Sequence, residues 1–150
     1  MDQFIPHVVV SDGLAALEFY KQVFGGTDGD TMMAQDGKRV LHGEVVVDGC
    51  KLFLSDEFAA SEGGSLKTPG SLGGTSIRVT MSVDDADAVV ARAEAAGANV
   101  IMPVQDMFWG ARYGRFVDPF GHEWGINQQV RELSKAEEDK AAAEFFAKNE

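Results

Sequence analysis

The sequence predicts an α+β domain made of two βαβββ modules, with one helix appended at the C-terminus. Three observations carry this. Short β-branched segments and single amphipathic segments follow one another in the same order twice. The halves overlay at a shift of about seventy-two, placing Asp12 on Asp84, Gly25 on Gly97, Gly49 on Gly121, and Leu52 and Leu54 on Trp124 and Ile126. Finally, 17 glycines against 4 prolines imply many turns and close backbone approaches.

The first module is expected over residues 4–56. Residues 4–10 (FIPHVVV) read as a strand, and Asp12 caps a helix whose apolar face is Leu14, Leu17, Phe19 or Tyr20, and Phe24. Gly25-Gly26 ends that helix. Strands are expected near 27–33, 39–47 and 50–55, with Asp36-Gly37 and Asp48-Gly49 between them as two-residue hairpin turns. The second module, 75–128, repeats the order: a strand over 76–83, a helix capped by Asp84 or Asp85 and closed by Gly97, and a strand from 99. A turn at Asp118-Pro119-Phe120-Gly121 precedes the last strand, 122–127. The Gly- and Ser-rich stretch 57–74 joins the copies, either as a linker, the favoured reading, or as a flap over a site. Ser134 and Glu137 form a capping-box pattern opening a helical extension within 131–150, whose Phe145 and Phe146 need burial.

Charge and composition narrow the function. Lys and Arg number 13 against 24 Asp and Glu, a net charge of −11, which argues against a nucleic-acid or membrane partner. No apolar run approaches the roughly 18 residues of a spanning helix. Met1, Asp2 and Gln3 lack the basic start of a secretory signal, and Cys50 stands alone, so a cytoplasmic protein is expected.

One βαβββ unit buries one face of its sheet under its helix and leaves the other concave. Two units side by side give a half-open, mixed-sheet barrel with a cleft. Strand alternation sends Val8 and Val10 to the core and Ile5, His7 and Val9 to the cleft. It sends Leu41, Val45 and Val47 inward, leaving His42, Glu44 and Val46. It also leaves Arg78, Thr80 and Ser82 for the cleft, although the repeat alignment shifts that strand's faces by one residue.

Residues 4–26, 40–49, 76–100 and, most specifically, PVQDMFWGARYGRFVDPFGHEWGI (103–126) resemble the PhnB-like branch of the vicinal oxygen chelate superfamily. That superfamily includes glyoxalase I, bleomycin-resistance proteins and extradiol dioxygenases. The resemblance implies the glyoxalase/bleomycin resistance fold in one domain, 1–130, and a homodimer. Metal-using members carry a His on the first strand, a Glu on the third, a His or Glu on the fifth and a Glu on the eighth. Here those positions fall on Ile5, Glu44, Ile77 or Arg78, and Gly125. A catalytic metal needs about three protein ligands, so no cofactor is expected and metal-dependent glyoxalase chemistry is disfavoured. A zinc, nickel or iron(II) ion held by His7, His42 and Glu44 is the less favoured alternative.

Among the remaining residues, Phe108 and Trp109 are expected at the cleft mouth, as a stacking surface or as hairpin packing. By the repeat alignment Phe116 partners Glu44 and should face the cleft. Arg78 and Arg112 suit a ligand carboxylate or phosphate, or an internal ion pair. His122 is expected to satisfy backbone groups, and Cys50 is not expected to act as a nucleophile. Two functions follow. The first is a protein that binds a small, partly aromatic ligand through Arg78, Thr80, Phe108, Trp109, Arg112 and Phe116. The second is a lyase or isomerase using Glu44 as general base with His7 or His42, its pKa raised in a partly dry cleft.

Overall fold

The computed structural model describes residues 4–149; Met1, Asp2 and Gln3, the start that lacks a basic secretory pattern, lie outside the described residues. The first module runs β1 (His7–Val10), α1 (Gly13–Phe24), β2 (Thr27–Met33), β3 (Val40–Val47) and β4 (Cys50–Asp56). The connection holds a 3-10 turn, Ala60–Glu62, and a short helix α2 (Pro69–Leu72). The second module runs β5 (Arg78–Ser82), α3 (Ala86–Ala95), β6 (Asn99–Asp106), β7 (Ala111–Val117) and β8 (Glu123–Gln129), followed by α4 (Lys135–Lys148). The strands make two four-stranded mixed sheets, ordered β1-β4-β3-β2 and β5-β8-β7-β6. Only the β1–β4 and β5–β8 pairs are parallel. The sheets do not join into a closed barrel, which is the half-open α+β architecture.

Local chemistry explains the boundaries. The Asp12 carboxylate accepts the Ala15 N–H at the start of α1, and Gly25 ends the helix at φ 70°. Of the two candidate caps for α3, Asp85 takes the role. Asp48 (φ 49°) and Gly49 (φ 79°) make the tight β3–β4 turn that needs two left-handed residues. Each helix start is also tied to the end of its module's last strand. Asp56, ending β4, accepts from Gly13 N at 3.1 Å and Val40 N at 2.7 Å. Gln128, near the end of β8, accepts from Ala86 N at 3.0 Å.

The two sheets share one core on their helix-bearing faces, and α1 packs against α3. Phe24 of α1 lies on Trp124 (ring centroids 4.8 Å apart) and on Phe116 (6.4 Å), both from the second sheet. The buried Asp118 carboxylate accepts from Tyr20 Oη at 2.6 Å and Trp124 Nε1 at 2.9 Å. It also takes the backbone N–H groups of Phe120 and His122. Burial and this carboxylate together push the Tyr20 hydroxyl pKa well above its ordinary value. One acid therefore fastens a helix of the first module to a strand and turn of the second.

Three face assignments change. Leu14 and Leu41 are 49% and 47% exposed, outside the core expected to hold them. Leu14 lies in the first turn of α1, ahead of the buried stripe Leu17, Tyr20 and Phe24, and Leu41 borders a surface cavity under the connecting loop. Phe116, expected in the cleft, is fully buried against Phe24. The registers give the reason. Glu44 stands opposite Phe53 as Arg115 stands opposite Gly125, so the repeat mate of Glu44 is Arg115. The shift between copies is one residue shorter here than at β4 and β8, and one residue in a strand exchanges faces.

Candidate functional site

On the open face of the first sheet, His7, Phe53, Glu44 and His42 come together from β1, β4 and β3. The His7 and His42 rings both meet Phe53 edge-on, at centroid distances of 6.4 and 4.7 Å. His7 Nε2 lies 3.2 Å from Ser55 Oγ. Burial, with the His42 ring nearby, lowers the His7 pKa, so His7 is held neutral near pH 7. Glu44 is buried, with Oε1 at 3.1 Å from His42 Nε2 and Oε2 at 2.8 Å from Lys51 Nζ. The Lys51 contact first, then the His42 contact, hold the Glu44 pKa below its ordinary value. That is opposite to the raised pKa expected of a general base, because these two hydrogen bonds outweigh desolvation.

The connecting stretch, for which a plain linker was the favoured expectation, also roofs this face. Phe58 and Gly63 through Leu66 enclose a cavity of ≈200 Å³ with His7, Val9, Leu41 and Ser55. Arg39 pins the roof: its guanidinium stacks 4.5 Å from the Phe58 ring centroid and bonds Glu62 at 2.7 and 3.2 Å and Asp36 at 2.6 Å. Inside the loop, Glu57 accepts from Thr68 N and Ser71 Oγ, and Pro69 is buried against the turn at Gly121. A second, more apolar cavity of ≈340 Å³ lies at the module junction, among Phe4, Phe24, Leu52, Met81 and Trp124.

The open face of the second sheet is different. Arg78, Thr80, Tyr113, Arg115 and Gly125 share it, as the strand alternation predicts for Arg78 and Thr80. Arg78 Nε donates to Glu123 at 2.6 Å. Trp109 packs 5.9 Å from the Tyr113 ring and touches Phe108. Phe108 itself is occupied by α4, with Phe145 at 5.1 Å and Phe146 at 6.1 Å, so the C-terminal aromatics find their cover on the 107–110 turn. Arg112 lies on the opposite face, bound to Asp87 of α3 and to Asp106, and is saturated by carboxylates. His122 Nε2 donates to Val9 O at 2.7 Å, satisfying an edge carbonyl of β1 as expected. Arg115 and Tyr113 are the functional candidates missed in the sequence. The signal for them was the strand register, which the repeat alignment missed by one residue.

A metal of the kind used by relatives does not fit. Gly125 offers no side chain at that position, and a Cβ there would stand 2.5 Å from the Tyr113 hydroxyl and 2.9 Å from Thr80 Oγ1, so a carboxylate would have to displace both. Arg78, whose Cδ would lie 3.2 Å from that Cβ, brings positive charge to the same spot. Among the described residues no three His, Cys, Asp or Glu side chains converge as a metal ion requires, and the His7, His42 and Glu44 set is no exception.

A family model of the Glyoxalase/Bleomycin resistance protein/Dioxygenase superfamily matches residues 4–126. The protein Rv0887c of Mycobacterium tuberculosis is 39% identical over 132 residues, covering 88% of this chain and 77% of that protein. TioX from Micromonospora superposes with a TM-score of 0.67 at 24% identity, covering 87% of this chain and all (100%) of TioX. A PhnB protein from Bacillus cereus shares the fold at a TM-score of 0.61 and 16% identity, covering 85% of this chain and 99% of that one. The solved structures share the fold, and the family model's match over residues 4–126 shows that the chain belongs to the glyoxalase/bleomycin resistance protein/dioxygenase superfamily.

Proposed function

We propose that this chain binds a small, partly aromatic molecule on the open faces of its sheets, without the metal ion of metal-using relatives. The observation that carries the reading is the loop-roofed cavity over the first sheet. Its apolar walls, Phe58 and Leu66, and its polar floor, His7 and Ser55, combine shape with a few orienting groups, as ligand sites do. The exposed Phe4, Ile5 and Ile77 support a homodimer in which a second copy covers apolar surface near β1 and β5. Among the described residues no helix is long and apolar enough to cross a membrane. A cytoplasmic setting suits the free, exposed Cys50.

The test is a thermal-shift screen against planar aromatic acids and alcohols, followed by Phe58→Ala. Stabilisation by a panel member that Phe58→Ala abolishes supports the reading. Absence of any response, or a stoichiometric metal in protein purified without chelator, overturns it.

A second reading, proton transfer beside a carbonyl as in lyases and isomerases, is favoured by one observation. His7 is neutral near pH 7 and lines the cavity. In that reading His7 is the base, and Glu44, locked by Lys51 and His42, is a positioning residue.

A further inference from the structure

We propose that the open face of the second sheet is an oxyanion site, in which Arg115, Tyr113 and Thr80 take the carboxylate or phosphoryl group of an aromatic ligand. The first support is the state of Arg115. Arg39, Arg78 and Arg112 each hold a carboxylate, and Arg92 donates to Val23 O. Arg115 is half-buried, yet among the described residues it has no acidic group within 4.0 Å. Its guanidinium lies 5.5 Å from the Tyr113 ring centroid and its Nε donates to the Tyr113 hydroxyl at 3.3 Å, which leaves the terminal nitrogens of a fork suited to an oxyanion without a hydrogen-bond acceptor among the described residues.

The second support is the floor. Gly125 lacks a side chain where the Tyr113 hydroxyl, Thr80 Oγ1 and Arg78 Cδ converge. Two hydroxyl donors, Tyr113 and Thr80, thus border ground that any larger residue at 125 would fill. The nearby Glu123 is the one carboxylate paired on this face, and it is neutralised by Arg78 at 2.6 Å. The face therefore keeps the positive charge of Arg115 in a chain of net charge −11. Trp109, half-buried on the Tyr113 ring, offers a flat surface beside the site. The ring contact rests on the binding function proposed above; the oxyanion contact stands apart from it.

The experiment titrates naphthoate, naphthyl phosphate, neutral naphthol and inorganic phosphate into the full chain, read by calorimetry and tryptophan fluorescence. Trp124 is buried in the core, so ligand-induced change reports Trp109. The expected result is that at least one naphthyl anion binds about ten-fold more tightly than naphthol. Arg115→Gln should remove that preference while naphthol binding persists, and Tyr113→Phe should weaken it partly. The stronger of the two anions identifies the group, carboxylate or phosphoryl. If no naphthyl compound binds but phosphate raises the melting temperature of the parent and not of Arg115→Gln, the oxyanion site stands and the aromatic-ligand reading falls. Equal binding of anions and naphthol, an unchanged preference in Arg115→Gln, or no response to any anion overturns the proposal. Arg115 holds no ion pair, so its substitution is expected to leave the fold intact, which the melting curve of the unliganded variant checks.

Discussion

At the centre of the first sheet's open face stands a carboxylate, Glu44; at the matching place in the second stands a guanidinium, Arg115. The two modules share topology and helix placement but not the treatment of that central charge. Glu44 is buried and matched by Lys51 and His42, and the loop anchored by Arg39 roofs the His7 and Ser55 part of the same face. Arg115 has only a phenol and lies on a face that the connecting loop does not roof. A duplicated sheet supplies two equivalent platforms, and side chains at one register position decide which is internally satisfied and which is open to a ligand. The same contrast recurs in the helix ties. Asp56 gives the first module a charged acceptor for two backbone donors, whereas Gln128 gives the second a neutral acceptor for one.

The largest expected effect breaks the contact between the modules rather than either module. Asp118→Ala strands the Tyr20 hydroxyl, the Trp124 N–H and two backbone N–H groups inside the core. A loss of about 3 kcal/mol is expected, lowering the melting temperature by roughly 10 °C. A loss under about 1 kcal/mol in chemical denaturation would show that ring packing and the other bonds between the modules, His122 to Val9 O and Arg92 to Val23 O, hold them without the carboxylate.

The helix ties give a smaller and more discriminating comparison. Asp56→Ala should cost about 2 kcal/mol, because Gly13 N and Val40 N both lose a charged acceptor in a buried place. Gln128→Ala should cost about half as much, on the order of 1 kcal/mol or less. Equal costs from urea unfolding would mean that the charge on Asp56 adds nothing to the tie.

The smallest effect is a pH dependence confined to the first module. The His7 pKa is lowered in the folded chain from its ordinary 6.5, so the unfolded chain binds the proton first. Its contribution is fully present above about pH 6.5 and is lost as pH falls below that value. His7→Gln keeps a group able to bond Ser55 and should flatten this part of the stability profile. Glu44, whose pKa is also lowered, acts in a more acidic window: its contribution is present above the ordinary carboxylate value and fades as pH falls through the lower folded value. A melting temperature of the His7→Gln variant that still declines between pH 7 and about pH 5.5, as in the parent, would assign the dependence to another group.

Much of the fold was legible because local chemistry announces itself in adjacent residues. Asp12, Gly25, Asp48-Gly49 and the Ser134–Glu137 capping box act over a few positions, and each does what its residue type dictates. The exposed alternation of Arg78, Thr80 and Ser82 followed from period two alone. The site was harder to read because its members meet across strands. Phe116 and Arg115 are neighbours in sequence and occupy opposite faces, so an alignment wrong by one residue named the buried one. For Arg112 the sequence left a ligand or an internal ion pair with Asp106 open, and α3 adds Asp87, a partner not visible in the linear order. The flap over a site stayed second to the linker reading of 57–74, because Arg39, Phe58 and Glu62 meet only after the chain turns back on itself.

The amino-acid sequence by itself determined the two βαβββ modules, their caps and turns, the appended helix, and the absence of side-chain ligands at Ile5 and Gly125. Those properties depend on residue type and short spacing, which no tertiary contact revises. The tertiary structure decided which charges remain free: it spent Glu44 on Lys51 and His42, spent Arg112 on Asp87 and Asp106, and left Arg115 beside a glycine floor. A charge becomes available to a ligand only when no neighbour in space neutralises it, and neighbours in space are set by strand register and helix docking.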